Sequence, residues 1–66
     1  MLSWDELYLV INGKRKLTKE ERENIIERID YTGEGNYNTE DLMKYSDIEL
    51  AKVCISVEND YALLQI

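Results

Sequence analysis

The 66-residue chain carries 8 Lys and Arg against 14 Asp and Glu and no His, a formal net charge of −6, with 44% hydrophobic residues, no Pro, three Gly and one Cys. A chain of this length is one domain, residues 1–66, which buries only about 60% of the surface its unfolded state exposes. The lone Cys excludes an internal disulfide, the charge argues against direct nucleic-acid binding, and the longest apolar run, Leu7 to Ile11, falls far short of the ~20 residues of a membrane span.

No basic region followed by an apolar core opens the chain, so a soluble, cytoplasmic location is expected. Charge is unevenly placed. Residues 14–19 hold four of the eight positive charges, whereas residues 20–49 carry ten acidic against three basic side chains, a local balance of −7. A basic partner suits such a surface, although acidic surfaces also serve solubility alone.

In chain order, Ser3-Trp4-Asp5-Glu6 forms a capping-box pattern, and Trp4, Leu7, Tyr8 and Ile11 recur at helical spacing up to an Asn12-Gly13 stop, predicting a helix over 3–12. A β-hairpin turning at Asn12-Gly13 competes, but its second strand would hold a single apolar residue, Leu17. Thr18-Lys19-Glu20-Glu21 is a second capping box and opens a helix over 18–30, in which Ile25, Ile26 and Ile29 face the core and the remainder is charged. Residues 31–38 read as the one real loop. Thr39 caps a short helix over 39–45, and Ser46-Asp47-Ile48-Glu49 restarts the chain as a long helix over 46–64.

That last helix organises the fold. Leu50, Cys54, Val57, Tyr61 and Leu64 form one stripe, widened by Ile48, Ala51, Ile55 and Ala62. Against it stands the β-branched run Val53-Cys54-Ile55-Ser56-Val57, which alternates like a strand and leaves a C-terminal hairpin over 52–66 as an alternative. The expected class is therefore all-α, a three- to four-helix domain, with α+β as the second reading.

Residues 30–41, DYTGEGNYNTED, place Asp30, Thr32, Glu34, Asn36, Asn38 and Asp41 at positions 1, 3, 5, 7, 9 and 12 of a twelve-residue loop with Gly35 at the sixth. Calcium takes six to eight hard oxygens from such positions, and the sixth needs Gly because the chain turns sharply there. Together with the flanking apolar residues, the stretch 25–45 resembles an EF-hand loop, and its dockerin variant more closely. The resemblance implies a Ca2+ site built from those six residues. Thr32 and Glu34 depart from the usual ligand types, and Asp41 is shorter than the bidentate Glu of EF-hands. A Gly-Asn-rich interhelical loop with helix-capping acids accounts for the same residues without metal.

No other chemistry stands out. Without His the commonest general base and transition-metal ligand are missing, and Cys54 lies on the apolar stripe, so an enzyme is not expected. Trp4, Tyr8 and Tyr61 fit core positions, whereas Tyr31, Tyr37 and Tyr45 gather around the loop, where either core cover or interface contact suits them. Leu63 and Ile66 leave the C-terminus as a frayed end or a homodimer seam. The reading that follows is a protein-binding adaptor, regulator or inhibitor, of a size common among phage and mobile-element proteins. Its partner-binding residues would be Glu20, Glu23, Glu27, Tyr31, Tyr37 and Tyr45. The alternatives are a calcium-binding helix-loop-helix and an acidic mimic of nucleic acid.

Overall fold

The computed structural model describes residues 1–64; the Ile66 end of the expected seam lies outside them. Four helices follow in order, α1 Trp4–Ile11, α2 Lys19–Thr32, α3 Thr39–Leu42 and α4 Asp47–Leu64, with no strand among the described residues.

All three capping boxes form. The side chains of Ser3, Thr18 and Ser46 accept from the amides of Glu6, Glu21 and Glu49, whose carboxylates bond back to the cap amides. Each satisfies two backbone donors that a helix start otherwise strands. The helix α1 ends as its Asn-Gly signal predicts. Gly13 turns left-handed at φ 76°, its amide bonds to Val10 and that of Lys14 to Leu9, a Schellman closure.

The end of α2 repeats that closure with different residues. Glu34 takes the left-handed position at φ 52°, and the amides of Glu34 and Gly35 bond to Tyr31 and Asp30. The helix therefore runs two residues past its expected end. Gly33 beside it has an ordinary φ of −82° and is required by space instead, since a Cβ there would lie 2.8 Å from the Ile29 carbonyl oxygen and 3.0 Å from the Tyr37 ring.

The third helix differs from its expected form, and the alternative of a C-terminal hairpin gives way to the expected long helix. The helix over 39–45 shortens to Thr39–Leu42, because Lys44 and Tyr45 switch to bonds three residues back, and its cap is Asn38 rather than Thr39. The hairpin over 52–66 is absent over 52–64, which is continuous helix. The β-branched run does not decide its own conformation. Leu50, Ala51, Cys54 and Val57 are buried at helical spacing while Val53 and Ile55 pack at the edges of the same core, so a helix places all six apolar side chains where a strand would expose half.

Ion pairs give the direction of the helices. Arg22 near the start of α2 meets Asp47 at the start of α4, and Arg28 further along meets Glu58, so α2 and α4 run parallel. The opposite course belongs to α1, whose first turn lies beside Arg28 and Glu58. Joining two parallel neighbours needs a crossover, and residues 33–46 provide it, with α3 inserting Leu42 into the core on the way. The core gathers Leu7 and Val10 from α1, Ile25 and Ile29 from α2 and four residues of α4, with Leu2 at its margin.

The stripe expected on α4 stops at Val57. At about 1.5 Å per residue α4 is about 27 Å long against about 21 Å for α2, and its last turns outrun their neighbours. Tyr61, Ala62 and Leu64 are exposed there, as is Ile48 at the other end, and Trp4 and Tyr8 lie at the surface rather than in the core.

Candidate functional site

Two faces of α2 carry its charged residues, and they differ in kind. The inner face holds Arg22 and Arg28. Arg28 Nε donates to Glu58 Oε2 at 2.9 Å and Nη2 to Oε1 at 2.7 Å, a bidentate pair, while Nη1 donates to the Leu2 carbonyl oxygen at 2.8 Å. Trp4 Nε1 donates to the same Glu58 at 2.8 Å, which explains why this ring sits at the rim of the core. Burial pushes the Glu58 carboxyl up, but the bonds from Arg28 and Trp4 outweigh it and hold the group below the ordinary glutamate range. One turn earlier, burial pushes the Cys54 thiol up to about 11, so the cysteine behaves as a small apolar residue.

Arg22 works in the same way at the other end. It donates to Asp47 Oδ1 at 2.6 Å and to the Tyr45 carbonyl oxygen at 2.7 Å, and so ties the crossover to α2. The second oxygen of Asp47 accepts the Leu17 amide at 2.9 Å. That amide bond, followed by burial and then Arg22, sets the balance that holds Asp47 below the ordinary aspartate range.

The outer face holds Glu20, Glu23 and Glu27, all exposed, and none of the three enters a hydrogen bond or ion pair through its side chain among the described residues. At 100° per residue they fall with Tyr31 within about 80° of arc. Glu20 and Glu23 lie three residues apart and Glu23 and Glu27 four apart, spacings at which like charges cost an isolated helix a few tenths of a kcal/mol per pair. Tyr31 at the end of this ridge is 85% exposed. The six residues expected to bind a partner are therefore only partly brought together. Glu20, Glu23, Glu27 and Tyr31 share a ridge, Tyr37 lies past its end with its ring against Gly33, and Tyr45 is half-buried against the core at the far end of the crossover.

Of the residues in the calcium-loop reading, Asp30 and Thr32 belong to the last turn of α2, Glu34 holds the left-handed position and Asp41 lies in α3. Asn38 Oδ1 accepts the Glu40 amide at 2.8 Å as the α3 cap. Among the described residues no cluster of three or more Asp, Glu, Cys or His side chains is found.

A groove of about 520 Å3 opens where α2 gives way to the crossover and α4 runs on. Tyr37, Val57, Tyr61 and Leu64 line it, with Glu34 and Asp60 also on its wall. Sequence reasoning missed this groove and both arginine clamps. The signal for the clamps was present in part, as Arg22, Ile25, Arg28 and Ile29 share one helical face, but nothing local shows which acid each arginine meets. No described helix is long and apolar enough to cross a membrane. Comparison of the chain with protein-family models, curated proteins and solved structures finds no match.

Proposed function

We propose that this chain is a small non-catalytic protein-protein interaction module, an adaptor, regulator or inhibitor, that meets its partner through the outer face of α2. The observation that carries this reading is the ridge of Glu20, Glu23 and Glu27 ending on Tyr31, a large ring left exposed although the helix beneath it is well packed. The fold gains nothing from Tyr31 in that position. At an interface, the ring buries a large area with two torsions to fix, and the carboxylates steer a basic partner during approach.

The test is capture from a lysate of the cell that encodes the chain, run in parallel with the protein and with its E20Q/E23Q/E27Q variant. The reading expects specific proteins that the variant fails to retain, with retention weakening as salt rises. Identical captures by both proteins, or none by either, would remove the ridge as the contact surface.

A further inference from the structure

We infer that the groove at the end of α2 takes a segment of a partner protein that presents one aliphatic or aromatic anchor flanked by Lys or Arg. This deepens the protein-binding reading and rests on it. The groove is open and mixes apolar with polar lining, its apolar part coming from Val57, Tyr37, Tyr61 and Leu64, of which Leu64 is 82% exposed. Its charge names the occupant. Glu34 and Asp60 stand on the wall, and among the described residues no basic side chain lines the groove.

The helices add to the same sign. Among the described residues neither α2 nor α4 carries a basic residue in its last turn, and carbonyl groups at a helix C-terminus favour cations. Tyrosine faces in the groove also attract guanidinium and ammonium groups. A second copy of this chain is a poor occupant, because its basic stretch at residues 14–19 holds one apolar residue, Leu17, which is already packed against its own core, and the rest of the copy is acidic. The groove is continuous with the proposed ridge, since Thr32 lines both it and the neighbouring hollow that Glu27 and Tyr31 flank. One extended or helical segment is thus able to meet both surfaces.

The experiment is selection of a displayed library of random peptides of about 12 residues on the whole protein, followed by titration of the enriched peptides into isotope-labelled protein. The expected consensus is a Leu, Ile, Phe, Trp or Met beside Lys or Arg. Amide shifts should centre on residues 33–37 and 57–64, and Leu64→Lys and Asp60→Lys, both at exposed positions, should each weaken binding by about tenfold or more. A consensus without basic residues, or no enrichment at all, overturns the groove and leaves the ridge to its own capture test. Shifts confined to residues 20–27 also overturn it while supporting the ridge. Groove shifts that grow with protein concentration in the absence of peptide would assign the groove to a second copy and overturn the basic-partner assignment.

Discussion

One helix, α2, divides the molecule's work between its two faces. Toward α4 it presents Arg22, Ile25, Arg28 and Ile29, each either fully buried or bonded to a named acceptor on another element. Away from α4 it presents Glu20, Glu23, Glu27 and Tyr31, which are exposed and whose side chains make no hydrogen bond or ion pair among the described residues. Partnered charge on a helix is explained by the structure it holds. Charge without a partner, arranged as a ridge and capped by an exposed ring, calls for an explanation outside the chain, and that contrast motivates the protein-binding reading.

Substitutions on the two faces should differ in effect, the largest falling on the inner one. Ile25→Ala removes a fully buried side chain from a small core and should cost about 2–5 kcal/mol, read by urea unfolding. Arg28→Ala strands Glu58 and the Leu2 carbonyl beside the core and should cost about 2–3 kcal/mol, somewhat less than a fully buried pair because Glu58 keeps some access to water. Near-neutral behaviour of Arg28→Ala would show that the clamp is incidental.

Acid acts on the same face. Glu58 and Asp47 have folded-state values below their ordinary ones of 4.5 and 3.8, so the stability they contribute is fully present above those values and is lost as pH falls through the lower folded ones. Unfolding midpoints should therefore fall with pH in that acid range, and Glu58→Gln should flatten the fall. A smaller effect lies at the end of α2. Glu34→Gly relieves a left-handed backbone that Gly13 adopts freely at the matching place in α1, and should stabilise the protein by about 0.5–1 kcal/mol in a thermal melt. The outer face stands last, as E20Q/E23Q/E27Q should change stability by less than about 0.5 kcal/mol per site.

Much of the inner architecture is legible in the sequence because it is local. Ser3 with Glu6, Thr18 with Glu21 and Ser46 with Glu49 lie three residues apart, and each pair forms the cap its spacing implies. Gly13 stops α1 for an equally local reason. The clamps are not local. Arg22 to Asp47 spans 25 residues and Arg28 to Glu58 spans 30, and both depend on α2 and α4 running parallel, which periodicity does not encode. The surface position of Tyr61 escaped for a related reason. Helical spacing shows which residues share a stripe, but the length of stripe covered depends on the neighbours, and α1 and α2 are too short to cover the end of α4. The β-branched run at Val53–Val57 misleads in the other direction, since burial on two sides of a helix outweighs its strand preference. Of the candidate surface, the acidic ridge was readable from composition and spacing, whereas the groove exists only because the start of the crossover lies beside the last turns of α4.

The most direct measurement crosses the two faces in one experiment: Arg28→Ala and E20Q/E23Q/E27Q, each assayed for unfolding free energy and for capture of partner protein at a temperature where both are folded. The triple variant keeps its helix formers and lowers the net charge only from −6 to −3. The account predicts that Arg28→Ala loses stability and retains capture, while the triple variant retains stability and loses capture. A triple variant that captures as well as the unmodified protein, or one that loses as much stability as Arg28→Ala, would contradict the assignment of binding to the outer face of α2.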